Sequence, residues 1–300
     1  MKLNYEVIIV GGSYAGLSAA LALGRSLKEV LIIDSGFACN RQTPHSHNFI
    51  TQDGVPPHEI AAKAREQVLQ YKSVDFINDL AIASKKTDEG FSMTTKSNKT
   101  FTAKKIIFAT GLKDMIPEVK GFRECWGISL IPCPYCHGYE FRNNKTGIMA
   151  NGERAFHLAL LVSNLTNNLY ILTTGKADFT PDQFKKLDEH QISIIESEIT
   201  ELKHLNGHIQ KVVFKNEESM GFDAVYAGFP FRQHSDLPAD LGCELTENGY
   251  IKVNEFQKTT VDGIYACGDN SVMMRSVAAS VASGNLAGAM ANADLSKEQF

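Results

Sequence analysis

The chain has 300 residues, room for about two domains at roughly 150 residues each. Its composition, 43% hydrophobic and 21% charged, excludes a disordered chain that cannot bury a core. A net charge of -4, from Lys+Arg 30 against Asp+Glu 34, gives no electrostatic footing for nucleic acid or an anionic membrane as partner.

The opening residues, MKLNYEVIIVGG, hold an apolar run of only Val7 to Val10 that leads straight into glycines. That is the pattern of a first strand, not of a secretory segment. No stretch reaches the ~18 apolar residues of a membrane helix, so a soluble cytoplasmic protein is expected. The spacing then predicts a βαβ unit: strand Val7–Val10, turn Gly11–Gly16, helix Leu17–Leu27 and strand Val30–Ile33 ending at Asp34. Residues 35–56 read as loop, and Pro57–Tyr71 as a helix with proline near its start. Short strands with polar turns fill Val74–Phe108, of which Lys104–Ala109 is a buried strand closing in Thr110-Gly111. Lys113–Gly121 reads as a linker.

A second βαβ pattern follows: strand Gly147–Ala150, turn Asn151-Gly152, helix Glu153–Leu165 and strand Leu169–Leu172. Residues 192–227 read as short strands and Gly228–Pro238 as a return linker. The chain closes with strand Gly263–Ala266, then Gly268-Asp269 and a small-residue helix from Ser276 to about Ala293. The two glycine-opened βαβ units form a weak internal repeat and suggest two nucleotide-binding-type domains.

Three motifs carry chemistry. Gly11-Gly12-Ser13-Tyr14-Ala15-Gly16 sits between strand and helix, with Asp34 about 20 residues on, where a dinucleotide fingerprint places its acid. Such a turn lets backbone N–H groups approach a pyrophosphate at a helix N-terminus. Ser13 stands at the middle glycine. The plain alternative is an ordinary strand-to-helix turn.

Cys133-Pro134-Tyr135-Cys136-His137 has four readings. It is a redox dithiol, a c-type haem attachment site, half of a zinc site, or two structural cysteines. Haem attachment needs export. A zinc site lacks its second C-x-x-C, since Cys39, Cys125, Cys243 and Cys267 are scattered, so no metal site is expected. The redox dithiol is the favoured reading, because the Pro, Gly and Tyr around the pair make an accessible loop. The third motif, Val261 to Asp269, brings an acid to the mouth of the last helix, where a bland helix cap is the alternative.

Together these residues resemble the low-molecular-weight thioredoxin reductase family, over essentially the whole chain. The resemblance rests on Gly11–Gly16, Ala109-Thr110-Gly111, Cys133–Cys136 and Gly263–Asp269. It implies an α/β fold of two Rossmann-like three-layer domains, the second inserted in the first. An FAD-binding domain would span 1–116 and 236–300, and an NAD(P)-type domain carrying the dithiol 117–235. The resemblance also implies a homodimer, and FAD contacts from Gly11, Gly12, Ser13, Ala15, Gly16, Asp34, Asn48, Gly111, Gly268 and Asp269. Arg275-Ser276-Val277 takes the place of the family's Arg-Gln-Ala beside the flavin.

Three departures matter. His137 stands where the reductases usually carry Asp. Ala150 replaces the first glycine of the second turn, and Thr173-Thr174-Gly175-Lys176 replaces the arginine cluster that grips the NADPH 2′-phosphate. They imply weak NADPH binding or none. C-x-x-C-H with such a turn is similar to the dithiol oxidases of the gliotoxin and holomycin type.

Three functions follow. The first is a flavin enzyme that oxidises a small dithiol or a protein thiol through Cys133 and Cys136, with His137 as base and oxygen or another acceptor downstream. The second is an NAD(P)H-dependent disulfide reductase, and the third a flavin redox sensor without turnover. His45 and His47 flank a loop that covers flavin or substrate or is simply solvated. Trp126 reads as core, Tyr14 as cofactor-adjacent or a surface cap, and the other four cysteines as structural.

Overall fold

The computed structural model describes residues 2–300. They form two compact units, one comprising the residues up to Arg41, Val55–Lys113 and Phe231–Phe300, the other Gln42–Gly54 and Asp114–Pro230. The chain therefore crosses between units at 113/114 and 230/231, a few residues before the expected boundaries at 116/117 and 235/236. In addition, segment 42–54 packs with the second unit.

The first unit is built on strands β1 (Asn4–Val10), β2 (Val30–Asp34), β3 (Val74–Asn78), β6 (Thr100–Phe108) and β17 (Ile264–Ala266). They form a parallel sheet in the order β3-β2-β1-β6-β17. Strands β4 (Ala81–Thr87) and β5 (Gly90–Thr95) make an antiparallel meander with the first half of β6. Val7, Ile9, Val30 and Ile32 pack on one face of the sheet and Ile8, Val10, Leu31 and Ile33 on the other. Burial on both faces is why these strands read as unbroken apolar runs.

Helices α1 (Tyr14–Arg25) and α8 (Val277–Gln299) cover the first of these faces. They approach closely because α8 presents glycines to the α1 backbone. A Cβ on Gly284 would lie 2.1 Å from the Ala15 carbonyl oxygen, and one on Gly288 2.5 Å from that of Ala19. Gly284→Ala is therefore expected to cost about 1–3 kcal/mol by overpacking and to lower the melting temperature. Asn285→Ala, on the exposed side of the helix, should stay within about 0.5 kcal/mol. Equal melting curves for the two variants would contradict this account.

The second unit repeats the recipe. Strands β8 (Leu130–Ile131), β9 (Thr146–Met149), β10 (Leu169–Leu172), β11 (Ser193–Ile195) and β15 (Ala224–Ala227) form a parallel sheet in the order β11-β10-β9-β15-β8. Helix α5 (Gly152–Val162) packs on one face. The antiparallel strands β12 (Ile199–Leu205), β13 (His208–Phe214) and β14 (Ser219–Met220) pack on the other. The internal repeat seen in the sequence is thus a repeated three-layer architecture.

Several elements differ from expectation. Helix α1 begins at Tyr14, inside the glycine motif, and α8 runs six residues past Ala293. The presumed return linker contains strand β16 (Phe231–Gln233), paired with β7 (Leu112–Asp114). Helix α6 (Pro181–Glu189) escaped the sequence reading although its capping box is local: Thr180 accepts from the Gln183 N–H, and the Gln183 side chain accepts from the Thr180 N–H. Among the described residues no helix is long and apolar enough to cross a membrane.

Candidate active site

In the first unit, the sequence motifs meet at the C-terminal edge of the parallel sheet. Gly11 N–H donates to Ile33 O (2.8 Å), Ala109 N–H to Val10 O (2.8 Å) and Cys267 N–H to Phe108 O (3.0 Å). The register therefore sets Asp34, Gly11, Thr110 and Gly268 beside one another, where open α/β sheets receive ligands.

The glycines are sterically required there. Gly11 has φ +107°, and a Cβ on Gly16 would stand 1.8 Å from Gly11 O. Ser13 is the N-cap of α1, yet its side chain makes no capping hydrogen bond and the first turn holds no acid. The first N–H groups of the helix thus lack a side-chain cap and stand at the positive end of the helix dipole, a setting that suits an anion. Asp34 accepts Gly12 N–H at Oδ1 (2.9 Å) and Gly36 N–H at Oδ2 (3.2 Å), which fixes the carboxylate and leaves each oxygen a further lone pair.

Asp269 does not open α8. Ser276 does, its Oγ accepting Ala279 N–H at 3.1 Å, so the Ser276 hydroxyl serves as a cap and Val277 is the first helical residue. Asp269 instead accepts from the Ser280 hydroxyl at Oδ1 (3.4 Å) and from Arg275 Nε at Oδ2 (3.5 Å). Gly268 has φ +81°, and Gly111 has φ +65° with open space where its Cβ would be.

The sequence reading missed Asn270. This residue is fully buried and donates to Phe108 O and Thr110 Oγ1, while its Oδ1 has no partner among the described residues. A polar residue directly after Gly-Asp was the available signal. Tyr14 is neither a surface cap nor solvent-facing: it is buried and donates to Pro57 O (3.1 Å). Cys39 is exposed beside Asp269, whereas Cys125, Cys243 and Cys267 are core. Trp126 packs on Phe229 at 5.1 Å between ring centroids.

In the second unit, Cys133 is the N-cap of the single turn α4 (Pro134–His137), with Pro134 at its first position. Cys136 Sγ lies 2.9 Å from Cys133 Sγ and donates to it. The Cys136 thiol, assisted by the Cys136 and Tyr135 N–H groups, outweighs burial and lowers the Cys133 pKa to about 7. As a dithiol, the pair has its N-terminal sulfur as the more readily ionised one.

Alkylation of reduced protein at Cys133 is expected to rise with a midpoint near pH 7, because the thiolate fraction grows through the folded pKa. Cys136→Ala removes the thiol donor and should move the midpoint up. A wild-type midpoint in the ordinary thiol range would refute the assignment.

His137 ends this turn. Burial, then the neighbouring His47, lower its pKa against an opposing pull from Glu140, and both ring nitrogens are buried without partners among the described residues. The ring is thus a neutral imidazole. Gly138 must lack a side chain, since a Cβ would stand 2.5 Å from Leu165 Cδ1 and 3.0 Å from the Tyr226 hydroxyl. Segment 42–54 contributes His47, placed between Asp53 (Nδ1 to Oδ1 3.6 Å) and Glu140 (Nε2 to Oε1 3.5 Å). Neither carboxylate was singled out in the sequence. Asn48, expected with the flavin contacts, belongs to this segment, and its N–H donates to Asp53 Oδ1. His45 is exposed, its ring 6.4 Å from that of His47.

The second glycine turn is closed by the protein itself. Asn151 Oδ1 accepts the N–H groups of Gly152 and Asp178, both at 2.9 Å, and Nδ2 donates to Lys176 O at 2.8 Å. The first turn of α5 also carries Glu153, whose carboxylate accepts from Gln183 at 2.7 Å. No arginine stands in the loop 173–178 after β10.

Residues 5–284 match the model of the pyridine nucleotide-disulphide oxidoreductase family. A Claviceps purpurea protein named thioredoxin reductase tcpT is 30% identical over 303 residues, covering 97% of this chain and 94% of that protein. The crystal structure of an oxidoreductase from Agrobacterium tumefaciens superposes with TM-score 0.91 at 35% identity, covering 98% and 99% of the two chains. That of a putative thioredoxin reductase from Bacillus anthracis gives TM-score 0.94 at 29% identity, covering 99% and 100%.

Proposed function

Because the chain belongs to the pyridine nucleotide-disulphide oxidoreductase family, and is a thioredoxin reductase-like enzyme within it, we propose that it oxidises a small dithiol through Cys133 and Cys136 without drawing on NADPH. The observation that carries this reading is the second glycine turn. Asn151 takes the Gly152 N–H and ties the turn to the backbone of 176–178, and Glu153 brings an acid to the helix N-terminus, so a pyrophosphate meets one donor already taken and a like charge.

The first unit fits FAD. The uncapped start of α1 at Gly11, Gly12, Ser13, Ala15 and Gly16 suits its pyrophosphate, and Asp34 suits a ribose hydroxyl. Gly111, Gly268, Asp269, Arg275, Ser276 and Val277 complete the set within this unit. The chemistry that bound FAD supplies is two-electron acceptance, with oxygen or another acceptor beyond it. The reading includes a homodimer working in the cytoplasm.

The protein's own step is thiol–disulfide exchange. A substrate thiolate attacks Cys133 Sγ of the oxidised pair, the 133–136 bond breaks, and Cys136 leaves as thiolate. The second substrate thiol gives its proton to His137 and attacks the substrate sulfur of the mixed disulfide. Cys133 is expelled as thiolate, stabilised by the Tyr135 and Cys136 N–H groups and, once the Cys136 thiolate has taken up a proton, by that thiol. The substrate departs as a disulfide, and its two electrons remain on the protein dithiol.

His137 is a base only while neutral, and its folded pKa lies below the ordinary histidine value. Dithiol oxidation is therefore expected to fall as pH drops through that lowered value. His137→Gln should lose this limb and about 10²-fold in rate. An unchanged pH profile in the variant would remove His137 from the role.

A second reading, an NAD(P)H-dependent disulfide reductase, draws on the name of the Claviceps relative and on Gly152 and Ala155 in the second turn. Anaerobic titration of the flavin separates the two. Dithiothreitol should bleach it, while millimolar NADPH or NADH should not. Bleaching by micromolar NADPH overturns the proposal in favour of the reductase.

A further inference from the structure

A shallow cavity of about 230 Å³ opens beside the dithiol, lined by His47, Asn48, Asp53, Tyr135, Tyr139 and Glu140. Tyr135 lies between the two cysteines, and Tyr139 and Glu140 follow directly on the turn that carries His137. Neither cysteine lines the cavity, but two of its residues, His47 and Glu140, act electrostatically on His137 at the end of the dithiol turn, and it lies wholly within the second unit. Its volume is below the roughly 300–1,000 Å³ of pockets for drug-sized ligands, which suits one small substituent.

Its charge is one-sided. Asp53 and Glu140 bring two carboxylates, and none of the six residues is Lys or Arg. His47, held between the two acids, carries at most one positive charge, so the six lining residues are net negative in either state of the imidazole, with Arg142 the cation at their edge. Tyr135 and Tyr139 are 63% and 66% exposed, so aromatic surface lies open at the same place. The Arg142 guanidinium already stacks on the Tyr139 ring, 4.0 Å from its centroid, which shows this surface receiving a cation.

We propose that this cavity holds the non-thiol part of the substrate, and that Asp53 and Glu140 select a thiol carrying a protonated amine over one carrying a carboxylate. The proposal rests on the thiol-oxidising reading and specifies its substrate class. No bond is made in the cavity; the covalent step remains the exchange at Cys133. Asp53 is 67% exposed and Glu140 38%, so solvent screening keeps the preference moderate, about tenfold at low salt.

The test uses the flavin-loaded protein with its Cys133–Cys136 pair oxidised, mixed anaerobically with cysteamine, 2-mercaptoethanol or 3-mercaptopropionate. The rate of mixed-disulfide formation at Cys133 is read by acid quench and mass. Each rate is normalised to that of the same thiol on a disulfide peptide spanning 132–137, which cancels intrinsic thiol reactivity. The expected normalised ratio of cysteamine to 3-mercaptopropionate is about ten, falling at high salt. In the Asp53→Asn, Glu140→Gln double variant it should fall to about one, with each single variant between.

A wild-type ratio of one or less, or a ratio that the double variant leaves unchanged, overturns the inference. If all three thiols open the disulfide at equal normalised rates, only the amine preference fails. If none opens it, the thiol-oxidising reading itself fails.

Discussion

Replacing Cys133 with serine is expected to abolish thiol-driven reduction of the protein, by at least about 10³-fold, the scale of removing a nucleophile. The expectation follows from asymmetry within the pair. Cys133 is the N-cap of the turn and accepts from the Cys136 thiol and two backbone N–H groups, which brings its pKa to about 7. A large fraction is thiolate at neutral pH, so Cys133 is both the sulfur that exchanges and the better leaving group. Cys136→Ser keeps Cys133 and removes the sulfur that would resolve a mixed disulfide. That variant should accumulate a stable adduct at Cys133 when offered an oxidised substrate, read by intact mass, while Cys133→Ser accumulates none. The reverse pattern would exchange the roles of the two cysteines.

The second large effect is expected at Gly16. A Cβ there would lie 1.8 Å from Gly11 O, and the neighbour is backbone that cannot rotate away. Gly16→Ala must shift the turn that presents the first N–H groups of α1. It should yield protein that has lost most of its flavin and is destabilised by about 1–3 kcal/mol. Ser13→Gly, which restores the middle glycine of the fingerprint, should keep the flavin, because the Ser13 side chain makes no capping bond to lose. Flavin absorbance relative to protein and the melting temperature are the measurements. Full flavin content in Gly16→Ala would contradict the placement of the cofactor at this turn.

Much of the fold was legible because the signals are local. Strands β1, β2 and β10 stood out as apolar runs, since residues on both faces of a covered parallel sheet must be apolar. The glycine turn and the C-x-x-C-H were legible for the same kind of reason: each needs its residue types within six positions. The readings that failed depended on distant partners. The surface-cap reading of Tyr14 fails because Pro57 O accepts its hydroxyl, and the structural reading of Cys39 fails because that thiol is exposed beside Asp269. The helix at 181–189 was a different miss, because its Thr180–Gln183 capping box was local and went unread.

By itself, the sequence determined where strands, helices and tight turns form and which sulfurs form a pair, because side-chain periodicity and backbone sterics act over a few residues. Tertiary structure decided what those pieces face. Parallel register brought Asp34, Gly11, Thr110 and Gly268 to one edge of the sheet. Packing of segment 42–54 with the second unit set His47 between Asp53 and Glu140, next to the turn of the dithiol. A single amide, Asn151, closed a turn that still reads in part as a nucleotide motif. Hydrogen bonds and charge pairs across tens to hundreds of residues leave no periodic trace along the chain, so only the folded molecule assigns the partners that give these side chains their chemistry.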